Sequence, residues 1–320
     1  MQFYFAPLEG IGGHIFRNVY AGQFGGIDKY FAPFIAAGPE VHYHKREIRD
    51  VLPENNCAKP LIPQILTNHS SAFLATADVL EGYGYEEINL NLGCPSRTVV
   101  SKGKGAGFLA HPDELDRFLE VIFNRTNLKI SVKTRIGMDS KEELAHLMEI
   151  FNRYPVHELI IHPRIQKDYY NNTPDWEKFS EALAVSRHSV CYNGDIFTAE
   201  DYMRFTESFP GIDKIMIGRG ILANPALIRE LRGEELPDKA FLRKYHDALL
   251  EEYQRTFSGD KNVLFKMKEL WCYMIYIFDN HQKYAKKIRK AQKMPAYLEA
   301  VDKLFGEQEV DWHSGFRWEK

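Results

Sequence analysis

One thiol, Cys94, stands between the run Ile88-Asn89-Leu90-Asn91 and a glycine-studded stretch that ends at Gly107. Asn91, Arg97 and Lys102 flank it. A thiol with a pKa near ~8.5 is mostly protonated at neutral pH and can give up a proton, and cationic neighbours would turn it into a nucleophile. The Gly93-Cys94-Pro95 turn with polar neighbours therefore predicts an acid or a nucleophile rather than a packing cysteine. Further polar groups sit where other apolar runs end: Ala6-Pro7-Leu8-Glu9-Gly10, Gln64, Lys133 and Arg135, His162-Pro163-Arg164, Asn193-Gly194-Asp195, and Gly218-Arg219-Gly220. No pair of carboxylates or histidines has ligand spacing. The set is cationic and suits an anionic cofactor better than a metal. The last two runs offer backbone N–H groups without Cβ obstruction, and Arg219 adds a fork of donors, as a phosphate site requires.

Such residues must be gathered by a scaffold. Short apolar runs at 3–7, 32–36, 61–66, 87–91, 130–135, 158–162, 190–193 and 214–218 read as eight strands. Helical patterns lie between them, for example over 70–83, 112–125, 141–154, 174–186 and 199–207. Ser140 and Glu143 have the spacing of a capping box. Eight strands alternating with helices over about 230 residues predict a closed (β/α)8 TIM barrel, in which chemistry is done at the strand C-termini. A doubly wound open sheet is the competing architecture. It would want a glycine-rich phosphate loop after the first strand, and the glycines at 10, 12 and 13 do not make a dinucleotide fingerprint. Past Gly233 and Pro237 glycine and proline become rare. Helical patterns over 239–256, 261–278, 281–292 and 296–305 predict a C-terminal all-helical domain. The expected division is a barrel over 1–232 and a helical domain over 236–320.

The formal net charge of −3 hides an asymmetry. Residues 236–320 carry 16 Lys and Arg against 13 Asp and Glu, and within them 281–293 has six basic residues and no acid. Charge alone does not separate a solvated helix face from a nucleic-acid surface. No run of 18 apolar residues suggests a membrane span, and the N-terminus has no basic leader. Four dispersed cysteines without CxxC spacing argue against disulfides or zinc and for a reducing cytoplasm. Cys57, Cys191 and Cys272 read as packing residues. A monomer is the default.

Taken together the motifs resemble those of the tRNA-dihydrouridine synthases, through most of residues 3–231. The resemblance rests on Ala6-Pro7-Leu8-Glu9-Gly10, Asn89-Leu90-Asn91-Leu92-Gly93-Cys94-Pro95-Ser96, Lys133-Thr134-Arg135-Ile136-Gly137, His162-Pro163-Arg164, Tyr170 through Asp175-Trp176, Asn193-Gly194-Asp195-Ile196, and Met216 through Asn224-Pro225. Departures at Leu8, Pro163, Asn172, Pro174 and Ala226 border the site. They bear on which tRNA position is chosen rather than on the chemistry.

The resemblance implies an FMN-dependent reduction of the uridine C5–C6 double bond in tRNA, with NADPH or NADH as reductant and Cys94 as proton donor. It implies cofactor contacts at Ala6, Pro7, Leu8, Gln64, Lys133, His162, Asn193, Gly194, Asp195, Gly218 and Arg219. Substrate contacts are implied at Asn91, Arg135, Arg164 and Tyr170, and no metal is implied. The helical domain with its basic run would bind tRNA. Two other readings stay open on the residues alone: an FMN barrel dehydrogenase acting on a free small molecule, and a tRNA-binding module that has lost catalysis.

Overall fold

A computed structural model describes residues 1–38 and 43–316, so the last four residues of the expected helical domain lie outside the description. The strands are β1 (Gln2–Phe5), β2 (Lys29–Phe31), β3 (Ile35–Ala36), β4 (Leu61–Ile62), β5 (Gln64–Leu66), β6 (Glu87–Leu92), β7 (Lys129–Arg135), β8 (Glu158–His162), β9 (Val190–Asn193) and β10 (Lys214–Ile217). The helices are α1 (His14–Gln23), α2 (Lys45–Arg49), α3 (Ser70–Gly82), α4 (Arg97–Val100), α5 (Pro112–Arg125), α6 (Glu143–Phe151), α7 (Trp176–Val185), α8 (Ala199–Ser208), α9 (Arg219–Ala223), α10 (Leu227–Leu231), α11 (Lys239–Thr256), α12 (Asp260–Met274), α13 (Gln282–Lys290) and α14 (Met294–Glu307).

The ten strand segments form one sheet in the order β3-β5-β6-β7-β8-β9-β10-β1-β2-β4. They amount to eight barrel strands. Pro63 has no N–H to give and separates β4 from β5, while the segment around Pro33 separates β2 from β3. β2 pairs in parallel with β1 and with β4, and β3 pairs with β5, so the two ends of the ordered sheet are pieces of the same two strands and the ring closes. The expected barrel is present. One expected strand is corrected: the run 32–36 pairs chiefly through Lys29–Phe31 ahead of it, because Pro33 interrupts the ladder within it.

The chain folds as two compact units. The first holds 1–7, 28–194 and 211–216, hence the barrel strands. Along each strand alternate residues face opposite sides. On β6, Ile88, Leu90 and Leu92 alternate with Glu87, Asn89 and Asn91. The barrel interior holds an apolar cluster of Tyr4, Ala6, Phe31, Ile62, Ile160, Cys191 and Met216. Beside it runs a polar ladder: Gln64 Nε2 donates to Asn89 Oδ1 at 2.7 Å, Asn91 Nδ2 to Gln64 Oε1 at 2.7 Å, and Asn89 Nδ2 to Ser131 Oγ at 3.0 Å. Outside, α5 buries Leu115, Phe118, Leu119 and Ile122, an i, i+3, i+4, i+7 stripe that starts at Pro112. Phe118 meets Phe73 and Phe108 edge-on at 5.8 and 5.4 Å.

At the strand N-termini, the foot of the barrel, the charges pair. Lys29 Nζ lies 2.7 Å from Glu87 Oε2, Tyr4 donates its hydroxyl to Glu158 Oε1 at 3.1 Å, and Lys214 Nζ lies 4.0 Å from the same oxygen. Burial raises the Glu158 carboxyl above the ordinary range, nearby Lys29 opposes that shift, and Glu87 adds to it.

The second unit holds 8–27, 195–210 and 217 onward, so α1, α8, α9 and α10 cluster with the C-terminal helices. Phe24, just after α1, meets Phe241 and Tyr245 of α11 edge-on at 5.3 and 5.0 Å. A buried chain ties α11, α12 and α14 together. Trp271 Nε1 donates to the Tyr297 hydroxyl at 2.8 Å, and that hydroxyl lies 2.7 Å from His246 Nε2. His246 Nδ1 lies 2.8 Å from Asp247 Oδ1. Every polar atom in that chain has a partner, which is what lets it sit in a core.

Candidate active site

The mouth of the barrel, at the strand C-termini, is built around the Cys94 turn. Asn91 Oδ1 accepts from the N–H groups of Gly93 at 3.1 Å and Cys94 at 2.9 Å. The Gly93 carbonyl accepts from Arg135 Nε at 2.9 Å, the Cys94 carbonyl from Ala106 N at 3.1 Å, and the Pro95 carbonyl from Gln166 Nε2 at 2.9 Å. Gly105 packs against this turn at φ +57°, and a Cβ there would lie 2.8 Å from the Cys94 carbonyl oxygen. Glycine is needed at that point. The backbone around the thiol is thus fully bonded while the Cys94 side chain stays partly exposed. Of the cysteines read as packing residues, Cys191 is buried in the barrel, whereas Cys57 and Cys272 are exposed. That reading is corrected for the latter two: each lies on a surface turn or outward helix face, where the apolar pattern does not reach.

Lys133 lies beside Asn91 in the β6–β7 register, and Arg135 beside His162 in the β7–β8 register. Burial first, and the Arg135 charge second, bring the Lys133 ammonium down to about 8 against the opposing pull of the Cys191 and Cys94 sulfurs. Among the described residues no carboxylate pairs with it. Gln64 is wholly buried, its Nε2 donating to Asn89 and its Oε1 accepting from Asn91. Asn91 is likewise engaged on the Cys94 turn and Gln64.

Arg135 is buried and donates to three carbonyls, those of Gly93, Ile165 and Tyr169, at 2.9, 2.9 and 2.8 Å. Its guanidinium carbon lies 5.5 Å from the Tyr170 ring centroid, and that ring meets His162 edge-on at 6.1 Å. Arg164, also buried, donates to the Asn172 carbonyl at 2.5 Å and faces His162 Nε2 at 3.2 Å. A guanidinium can only donate, so His162 Nε2 accepts and the ring proton resides on Nδ1. The structure therefore brings Asn91, Cys94, Lys133, Arg135, His162, Arg164 and Tyr170 to one end of the first unit. It shows Arg135 and Arg164 fastening loops, with Tyr170 left 43% exposed as the accessible member. Ala6 belongs to the interior apolar cluster. Asn193 Nδ2 donates to the Met216 carbonyl at 2.8 Å, and a Cβ on Gly194 would strike the Tyr192 hydroxyl, which Trp176 Nε1 holds at 3.1 Å.

In the second unit, Arg219 Nη2 lies 2.5 Å from Asp195 Oδ1 and its guanidinium stands 5.4 Å from the Phe197 ring centroid. The expected phosphate fork is thus already engaged by a carboxylate on one arm. The Leu8 carbonyl accepts from Gly12 N at 2.8 Å. A separate feature there is a groove of about 430 Å³ along α13 and α14, lined by Lys286, Lys287, Lys290 and Lys303 with Glu299 and three alanines. Glu299 pairs with Lys303 at 2.5 Å, which leaves a positive excess.

Sequence reading missed Gln166, Asn89 and Ser131. Asn89 could have been found from its alternation with Asn91. Gln166 carried no local signal, since its contact spans 71 residues.

A parallel barrel that carries, at its strand C-termini, a thiol and an ammonium without a carboxylate partner among the described residues has the ground plan of a (β/α)8 enzyme. A family model described as dihydrouridine synthase (Dus) matches residues 4–311, and the chain belongs to that family of oxidoreductases. It is 28% identical over 272 residues to the tRNA-dihydrouridine(16) synthase of Aquipseudomonas alcaligenes, covering 80% of this chain and 84% of that one. It is 29% identical over 263 residues to a probable tRNA-dihydrouridine synthase of Staphylococcus aureus (strain MRSA252), covering 79% and 78%. A solved structure of morphinone reductase aligns with a TM-score of 0.46 at 14% identity, over 75% of this chain and 88% of that one. Among the described residues no helix is long and apolar enough to cross a membrane, and no cluster of three His, Cys, Asp or Glu could hold a metal ion.

Proposed function

We propose that this chain reduces the C5–C6 double bond of a uridine in tRNA, with FMN as its cofactor, NADPH or NADH as reductant, and Cys94 as proton donor. The observation that carries the reading is the Cys94 turn itself: a fully bonded backbone presenting a partly exposed thiol at the strand ends, on the strand beside Lys133. The desolvated Lys133 ammonium with no carboxylate partner among the described residues fits an anionic group, as a flavin phosphate or reduced ring provides. The second amide N–H of Gln64, which has no partner among the described residues, would add a donor to the same mouth. FMN, when bound, supplies the hydride that no side chain can.

The protein's own residues then have three tasks. Lys133, Gln64 and His162 would hold the cofactor's polar edge. Tyr170 would wall the uracil, which must leave the RNA stack to reach a barrel mouth. Cys94 Sγ–H would give its proton to C5, opposite the face that receives hydride at C6. The lysine groove on α13 and α14 supports a polyanionic substrate over a free small molecule. Residues 236–320 would form the RNA-binding segment.

Cys94→Ala is the test. It is expected to keep bound FMN and its reduction by NADPH, and to lose at least about 100-fold in dihydrouridine formation. Mass analysis of tRNA reads the outcome, since each reduced uridine gains about 2 Da through the two added hydrogens. An active Cys94→Ala enzyme, or a protein that binds no flavin, would end the reading.

A further inference from the structure

The helical part of the second unit carries an aromatic ring where helix amphipathicity would place a polar residue. On α12, Val263, Leu264, Met267, Leu270, Trp271 and Met274 are buried. Phe265, on the opposite face, is 64% exposed, the highest value among the exposed large hydrophobic residues. A lone exposed apolar side chain is ordinary. This one has cations on both sides along the chain, one of which, Lys266, also pairs with Glu269 at 3.4 Å. Lys266 Nζ stands 5.6 Å from the ring centroid and also donates to the Gly10 carbonyl, so it is anchored beside the ring. Lys268, three residues further along and on the same side of the helix, donates to the Ala291 carbonyl. Ala291 itself lines the four-lysine groove between α13 and α14. The exposed ring therefore borders a cationic track that continues over Lys268 into that groove.

From this juxtaposition we infer that Phe265 is a stacking platform for one unpaired base of an RNA whose phosphates follow the Lys268 and α13–α14 lysines. The inference rests on the tRNA reading above and deepens it. An aromatic face binds any base through its π surface, while lysines track the backbone, and the two together are what a single-stranded segment needs. A protein partner or a second copy of the chain would also cover an apolar side chain. The charge favours RNA: residues 281–293 hold six basic residues and no acid.

The experiment measures tRNA affinity of the full-length enzyme against salt for wild type, Phe265→Ala, Phe265→Leu, Phe265→Trp and a Lys286→Gln/Lys290→Gln pair. Phe265→Ala and Phe265→Leu should each raise Kd about ten-fold, because leucine keeps the apolar bulk and loses the ring. The slope of log Kd against log salt should not move in either. Phe265→Trp should bind at least as well as wild type, with its fluorescence quenched by tRNA. The lysine pair should instead flatten the slope by about one to two. Wild-type affinity in Phe265→Ala, or full retention in Phe265→Leu, would overturn the platform. So would a Phe265→Ala effect confined to oligomeric mass by light scattering, which points to a protein contact. If wild type itself fails to bind tRNA, the underlying functional reading falls instead.

Discussion

The two ends of the barrel treat charge in opposite ways. At the foot, Lys29, Glu87, Glu158 and Lys214 neutralise one another, and Tyr4 gives its hydroxyl to Glu158. At the mouth, Lys133, Arg135 and Arg164 gather, with Asp168 of the loop after β8 acting on Arg135. The same strands supply both ends. β7 runs from Lys129 through Ser131 and Lys133 to Arg135, every second residue on one side. The foot pairs its charges with one another, leaving one oxygen each of Glu87 and Glu158 without a hydrogen-bond partner. At the mouth the Lys133 ammonium has no carboxylate partner among the described residues.

That contrast can be broken by substitution. The largest effect is expected from Lys133→Met, which should lower turnover at least about 100-fold and weaken flavin binding; near-wild-type turnover would remove Lys133 from the site. The same variant probes the cofactor-free protein. With its pKa brought down to about 8 from 10.5, Lys133 holds its proton less tightly in the folded chain than in the unfolded one. Cofactor-free stability should then rise with pH between those values, because the unfolded state binds more protons there. Lys133→Met should abolish the rise and be more stable than wild type at pH 7, as urea midpoints will show.

Arg135→Lys is next. A lysine's donors all sit on one nitrogen and cannot reach the carbonyls that Nε, Nη1 and Nη2 serve separately, and the loss should cost about 2–3 kcal/mol of stability. A cost below about 0.5 kcal/mol would mean that the guanidinium is not holding the loops. The smallest effect belongs to the foot. Glu158→Gln keeps an acceptor for Tyr4 and removes a buried charge with one unsatisfied oxygen. Stability at pH 7 should change by no more than about 1 kcal/mol. Because burial raises the Glu158 pKa, wild-type stability should fall as pH rises above the ordinary carboxylate range, and the variant should lose that fall. A loss of several kcal/mol in Glu158→Gln would show that the foot depends on the Glu158 charge and not only on its hydrogen bond from Tyr4.

Much of this was legible in the residues. Strand-end polar groups and the eightfold alternation predicted the barrel, because both follow from local periodicity. The helix over 239–256 was read to its ends, since Asp238 caps it through Phe241 N at 2.7 Å and glycine and proline are absent inside. The break of the second strand near Pro33 was not read, because an apolar run looks the same on either side of a lost donor. The roles of Arg135 and Arg164 were not legible either. A guanidinium in a motif resembles a substrate contact until its carbonyl partners, 30 and more residues away for Arg135, are in view. The engaged fork of Arg219 was hidden for the same reason: Asp195 is 24 residues distant.

Arg135 and Gln166 both fasten the segment after β6 to the segment after β8. The Cys94 turn and the loop that carries Tyr170 are therefore mechanically one piece. Any breathing of these segments must carry both or rupture several bonds together. Variants in the two stretches, remote along the chain, will show epistasis rather than independent contributions.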